Sequence, residues 1–282
     1  MIKIDSHHHF WDPDRATYPW MTDDLAPIRR RFGPADLRPL IDGMRISRTI
    51  LVQTRSSTNE TEEFIATAAA ERFIAGVVGW VDLTDPAVAD EIARLRAAPG
   101  GDRLVGIRHQ VQDEPDPEWL ARPDVRRGLA AVASAGLAYD LLVRPRELSA
   151  AFDAAAALPD LRFVVDHIGK PRIAAAEMEP WAGRIRSMAE LPNVACKLSG
   201  LVTEAAWGSW TTVDLHPYVD AVLDAFGPER LMFGSDWPVC LLAASYDRVV
   251  SADRELLAAL SADERARIFG VTAMEVYGLD VG

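Results

Sequence analysis

Cysteine is nearly missing from this chain: Cys196 and Cys240 are the only two in 282 residues. Neither sits in a Cys-x-x-Cys spacing, so a disulfide framework and a zinc knuckle are both excluded, and a reducing cytosol is the expected compartment. Basic charge is also short, with 30 Lys and Arg against 42 Asp and Glu, a formal net charge of −12. That balance argues against nucleic acid and anionic membranes as partners, because both reward basic patches. No apolar stretch of 18 residues occurs and no basic-then-apolar leader precedes the first histidines, so neither a membrane span nor a secretion signal is expected. No Gly-x-Gly-x-x-Gly follows a strand-like run, which removes the main sequence reason for a nucleotide-binding sheet. A soluble cytoplasmic protein acting on a small molecule remains, its oligomeric state left open.

The chain is 49% hydrophobic and 26% charged, ordinary for one large α/β domain. Short apolar runs recur at regular intervals: 2–6, 48–53, 74–81, 104–108, 138–143, 162–166, 194–198 and 231–235. Between them lie Ala-, Leu- and Arg-rich stretches with helical character, at 61–72, 86–98, 123–135, 146–157, 180–190 and 215–226. Two more follow at 248–260 and 261–277, the last opening on Ser261-Ala262-Asp263-Glu264, a capping-box pattern. Eight strand–helix units in this length predict a single (β/α)₈ TIM barrel over residues 1–282, which commonly needs about 250 residues. The proline- and aromatic-rich segment 11–40 reads as an extended first β–α loop over the barrel mouth.

Six histidines are present, and three of them, His7, His8 and His9, directly follow the first apolar run. A tag remnant fused without a seam to Ile2-Lys3-Ile4-Asp5 is the less natural reading. Side chains alternate along a strand, so His7 and His9 share a face with Asp5, while His8 faces the other way with Ile2 and Ile4. The last run ends in Asp236. In a closed barrel the eighth strand pairs with the first, bringing Asp236 beside His7 and His9 at the C-terminal rim, where such folds carry their active sites.

Six motifs then point one way, in order along the chain: Ile4-Asp5-Ser6-His7-His8-His9-Phe10-Trp11-Asp12, Tyr18-Pro19-Trp20, Gly106-Ile107-Arg108-His109-Gln110, Asp166-His167-Ile168-Gly169-Lys170-Pro171, Lys197-Leu198-Ser199-Gly200 and Phe233-Gly234-Ser235-Asp236-Trp237-Pro238. Together they resemble the amidohydrolase superfamily, in its branch of sugar lactonases of the L-fuconolactonase and L-rhamnonolactonase kind. The resemblance implies a hydrolase that opens a sugar-acid (aldono) lactone to the free acid. Two-metal members of the superfamily use a bridging carboxylate or modified lysine at strand four and histidines on strands five and six. Here strand four ends Arg108-His109, strand five has no histidine, and only strand six contributes one, His167, so a binuclear site is not expected. His7, His9, His167 and Asp236 remain, enough for one divalent ion, zinc before others. A metal-independent site built from the same four residues is the other reading.

Asp236 is the expected base for water, positioned by His7 and His9. Arg108 and Lys197 fall on inward strand positions and are candidate partners for the developing oxyanion, the alternative being that they pair with Asp140 or another barrel acid. Trp20 and Trp237 offer ring faces for a sugar, with Trp80 as a further aromatic. Lys170 and Gln53 are candidates for substrate hydroxyls, and His109 joins them if the end of strand four bends. Two other functions fit the same residues: a zinc-dependent decarboxylase of the superfamily, and a sugar-acid binding protein without turnover.

Overall fold

Each of the eight apolar runs forms a short parallel strand in the computed structural model, which describes residues 2–280. The strands are β1 (Ile4–His8), β2 (Arg48–Val52), β3 (Ile74–Gly79), β4 (Leu104–His109), β5 (Ala138–Leu141), β6 (Arg162–Val165), β7 (Val194–Leu198) and β8 (Leu231–Phe233). They pair in sequence order from β1 to β8, and helices on the outside make every strand buried on both faces. That double burial is why the runs are continuously apolar rather than alternating.

The ring is closed by residues that follow β8 rather than by β8 itself. His7 C=O accepts from Asp236 N–H at 2.8 Å, and Trp237 C=O accepts from His9 N–H at 2.7 Å. Ser6 Oγ adds a bond to Phe233 C=O at 2.6 Å. First and last strand ends are therefore stitched together by backbone at the same rim.

Inside the barrel, Ile4, Ile50, Val52, Val78, Ala138, Val164, Ala195 and Met232 form one apolar cluster, filled from below by Ala273 and Tyr277 of the C-terminal helix Thr272–Tyr277. Ile4 thus points inward and Asp5 outward, the reverse of the phase expected from simple alternation. A register shift between Asp5 and His8 inserts an extra residue, a bulge. It turns Asp5 toward Tyr246 of the outer helix Tyr246–Leu256, whose hydroxyl donates to it at 3.1 Å. His7 and His9 still share the inner face, and His8 still opposes them, bonded to Thr49 Oγ1 at 2.8 Å.

The expected loop 11–40 is partly a helix. Residues Pro34–Met44 form the crossover from β1 to β2, opened by Pro34 and by Asp36, whose carboxylate accepts from Gly33 N–H at 2.8 Å. Pro39 obscures the pattern, yet it lies on the exposed face, where solvent takes the carbonyl it leaves unbonded. Among the described residues no helix is long and apolar enough to cross a membrane.

Candidate active site

Three imidazoles and one carboxylate converge at the rim where the ring closes. His7 and His9 come from the end of β1, and their Nε2 atoms are 3.2 Å apart. Asp236 Oδ1 lies 3.4 Å from His9 Nε2 and 3.9 Å from His7 Nε2. His167 Nε2, from the turn after β6, is also 3.9 Å from Asp236 Oδ1. Two of these residues sit in left-handed backbone, His167 at φ 53° and Asp236 at φ 55°. Such conformations in non-glycine residues are uncommon and concentrate at functional sites.

Their outer nitrogens are fixed by neighbours. His9 Nδ1 is 2.8 Å from Val52 C=O, an atom that only accepts, so Nδ1 carries the proton and Nε2 of the neutral ring presents a lone pair. His167 Nδ1 bonds Ser199 Oγ at 2.8 Å. Gly200 follows directly, at φ +66°, and a Cβ there would stand 2.7 Å from His167 Nδ1. Gly200→Ala is therefore expected to cost about 1–3 kcal/mol in urea unfolding and to displace His167; unchanged stability would contradict this packing.

Arg108 and Lys197 both enter the barrel, as their strand phase predicts, and both are paired there. Arg108 Nη1 donates to Asp166 Oδ2 at 2.9 Å, and its Nη2 and Nε reach Gln53 Oε1 at 2.9 and 3.3 Å. Lys197 Nζ lies 2.5 Å from Asp140 Oδ2 and 3.0 Å from Asp166 Oδ1. Two cations thus meet two carboxylates, a balance that buried charge requires. The difference is in access. Arg108 Nη1 comes within 3.3 Å of His7 Nε2 and lines the open cavity. Lys197 lies beneath the imidazoles, sealed from solvent, with its donors committed. It does not reach a substrate carbonyl directly.

That cavity, of about 110 Å³, is floored by His9, His167, Arg108 and Asp236. Its walls carry Trp20, Thr54, Gln110 and Gln112 on one part and Leu142, Lys170 and Val239 on another. Of the residues expected to contact substrate, Trp20 and Lys170 line this cavity. Trp20 Nε1 donates to Thr54 C=O at 2.9 Å, and Lys170 Nζ stands 3.9 Å from Glu204 Oε1.

The other four expected contacts lie elsewhere. Gln53 is sealed beneath, holding Arg108. Trp237 is 1% exposed and packs edge-on to Phe10 and Phe32, so its ring anchors the first loop. His109 stacks on Trp119 at 4.3 Å and bonds Glu114 Oε1 at 2.7 Å. Trp80 donates to His109 Nδ1 at 2.9 Å. Both serve the neighbouring loops, and His109 faces an adjoining outer hollow that shares Trp20 and Gln110 with the cavity.

Sequence reasoning missed Asp166, the carboxylate that joins Arg108, Lys197 and His7, whose Nδ1 is 3.3 Å away. The signal was present: two inward cations demand two inward acids, and Asp140 and Asp166 are the acids on β5 and at the end of β6. It gave Gln110 no role although the residue ends the third motif, and it missed Thr54, Gln112, Leu142 and Val239, which sit on loops with no motif to mark them.

Electrostatics sets the protonation states. Burial alone would raise the Asp236 carboxyl, but His167, His9 and Lys170 outweigh it and hold it below the usual range. Asp166 is likewise held well below, against burial, by Lys197, His7 and Arg108. His7 is pushed well below the ordinary imidazole value, chiefly by burial, and burial lowers His167 to about 4. At neutral pH the His7 and His167 rings are neutral and Asp236 is charged. A lowered pKa means the proton is taken up only at more acid pH, so kcat/KM should stay level from pH 8 to about pH 5 and fall below that. An acid limb centred at the ordinary histidine value of about 6.5 would contradict these environments.

Comparison with known proteins places the chain. The amidohydrolase family model matches residues 4–279. An L-fucono-1,5-lactonase from Burkholderia multivorans is 42% identical, over 99% of this chain and 96% of its own length. Another, from Burkholderia ambifaria, is 38% identical with the same coverage of both chains. A crystal structure of an amidohydrolase from Burkholderia multivorans with bound zinc superposes with a TM-score of 0.93, at 41% identity, covering 99% of this chain and all of that one. With a family match from first strand to last and relatives of this identity along the whole length, the chain belongs to the amidohydrolase family and groups with its sugar-lactonase branch.

Proposed function

We propose that the protein is a hydrolase that opens the lactone of a sugar acid, an aldonolactone, to the free hydroxy acid. The observation that carries this reading is the convergence of Asp236, the His9 and His167 imidazoles and the Arg108 guanidinium on one small cavity, with His7 buried behind them. A water molecule needs about 10–15 Å³ of such space, so 110 Å³ takes a ligand the size of one sugar lactone. The relatives named L-fucono-1,5-lactonase make that lactone the first to test.

Hydrolysis of a cyclic ester needs a base for water and a partner for the carbonyl oxygen. Water lying against Asp236 gives its proton to the carboxylate while its oxygen bonds to the lactone carbonyl carbon. Arg108 faces the oxygen that takes up the negative charge. When the ring C–O bond breaks, the departing alkoxide recovers the proton from Asp236, which leaves a hydroxy acid and restores the carboxylate. Trp20 offers its ring to the sugar's C–H face, while Gln110, Gln112 and Lys170 face its hydroxyls.

The same residues fit a divalent ion. Ligand bonds of about 2.0–2.1 Å at tetrahedral angles put donor atoms about 3.3 Å apart, and the spacings here are 3.2, 3.4 and 3.9 Å. His7, His9 and Asp236 would hold the ion, with His167 Nε2 3.9 Å from Asp236 Oδ1 as the fourth side chain beside it, and zinc suits a mixed imidazole and carboxylate set. When bound, it supplies Lewis-acid polarisation of the carbonyl or a more acidic water. A reducing cytosol is the proposed compartment, supported by the free, buried thiols of Cys196 and Cys240.

The test is acid release from a panel of aldonolactones in weakly buffered indicator, with added zinc and with chelator. Release from at least one sugar lactone is expected. Folded protein inert toward the whole panel in both conditions would end the proposal.

A further inference from the structure

Beneath the imidazoles the barrel axis holds a run of polar groups that no step above uses. Tyr277 enters from the helix Thr272–Tyr277, which closes the opposite end of the barrel. Its hydroxyl donates to Asp140, 2.9 Å from both carboxylate oxygens. Asp140 Oδ2 is 2.5 Å from Lys197 Nζ, and Lys197 Nζ in turn reaches Asp166 Oδ1 at 3.0 Å and His7 Nδ1 at 3.2 Å. Asp166 spends its other oxygen on Arg108. Tyr277, Asp140, Lys197 and Asp166 are all buried, so this run connects the floor of the barrel to its catalytic rim without passing through solvent.

The chemistry of the ammonium makes the run sensitive to its far end. Lys197 has three N–H bonds, and two carboxylates, Asp140 and Asp166, face it, with His7 Nδ1 3.2 Å from the ammonium and 3.3 Å from Asp166 Oδ1. The Asp140 carboxylate receives the Tyr277 hydroxyl on its other side, at equal distance from both oxygens. Without that hydroxyl, a buried carboxylate oxygen loses a donor, and Asp140 draws more strongly on Lys197. The ammonium then moves away from Asp166 and His7, and Asp166 no longer fixes Arg108 in one place.

We propose that Tyr277 is a positioning residue, which through Asp140 and Lys197 holds the Asp166 carboxylate that carries Arg108 and His7. Its effect on turnover rests on the lactonase reading; the positioning itself does not.

Tyr277→Phe in the full chain removes one oxygen and keeps the ring that fills the barrel floor. Its kcat on L-fucono-1,5-lactone should fall about 10- to 100-fold, the scale of a small misplacement at the reacting centre, with KM within about twofold of wild type. Leu279→Ala, which thins the same apolar floor, should lower the melting temperature and leave kcat per folded molecule unchanged. Histidine-selective ¹⁵N NMR gives a readout without turnover: the His7 ring signals should move in Tyr277→Phe while those of the distant, half-exposed His216 do not. Wild-type kcat in Tyr277→Phe, a loss that only tracks the folded fraction, or unmoved His7 signals would each overturn the inference. Wild-type protein inert on every lactone, with His7 signals that do move, would sink the lactonase reading alone. If Tyr277→Phe does not accumulate folded, Asp140→Asn carries the same two readouts, because it keeps the shape and removes the charge that holds Lys197.

Discussion

Asp236→Asn should lower kcat/KM on the preferred lactone by about 10³-fold, inside the 10²–10⁴-fold range of general acid–base catalysis, while leaving the fold intact. The expectation follows from how the residue is held. Its backbone N–H is bonded to His7 C=O at 2.8 Å, a contact that Asn keeps. Its φ of 55° lies in the left-handed region, where Asn is at least as comfortable as Asp. The carboxamide fills the same volume but can neither take a proton from water nor return it to the departing alkoxide. The variant should therefore still fold cooperatively in urea, and the loss should appear in kcat/KM for every lactone in the panel. Near-wild-type turnover in a folded Asn variant would remove Asp236 from the chemistry.

Arg108→Met should be damaging in two separable ways. The guanidinium is 3% exposed and balances one of two buried carboxylates. Removing it leaves Asp140 and Asp166 to share Lys197 alone, and breaking a buried pair by deleting one partner costs about 3–5 kcal/mol. The second loss is kinetic. A donor aimed at a developing oxyanion contributes about 10²–10³-fold, and that loss should remain in kcat after correction for the folded fraction. Arg108→Lys separates the two: it restores most of the stability because charge returns, but not the rate, because an ammonium cannot reproduce the planar fork that spans Gln53 and Asp166. Full activity in Arg108→Lys would mean that charge alone is enough and the fork geometry is dispensable.

The barrel was legible because its signal is repeated. Eight apolar runs bounded by turn residues and separated by helical stretches leave few alternatives, and doubly buried strands announce themselves by their lack of alternation. The helix Pro34–Met44 was lost to its internal Pro39, whose exposed placement no linear pattern shows. The inward phase of Ile4 was lost to a bulge: one extra residue between Asp5 and His8 reverses the alternation before it and preserves it after. At the site, types and spacing found His7, His9, His167 and Asp236, because ligand and proton-transfer chemistry needs those side chains. Arg108 and Lys197 were found by phase, but phase carries no depth. A cation at the cavity and a cation below it read alike in sequence, and the same is true of Trp20 and the buried Trp237.

By itself, then, the sequence determined the architecture, the family and the four side chains at the centre, since composition, periodicity and residue chemistry are local properties written along the chain. Tertiary structure alone decided which of the charged and aromatic residues meet solvent and which support them from beneath. It also decided that the last helix reaches through the floor to Asp140. Those facts depend on distances between residues far apart in the chain, fixed only when backbone hydrogen bonds from Asp236 and His9 close the ring.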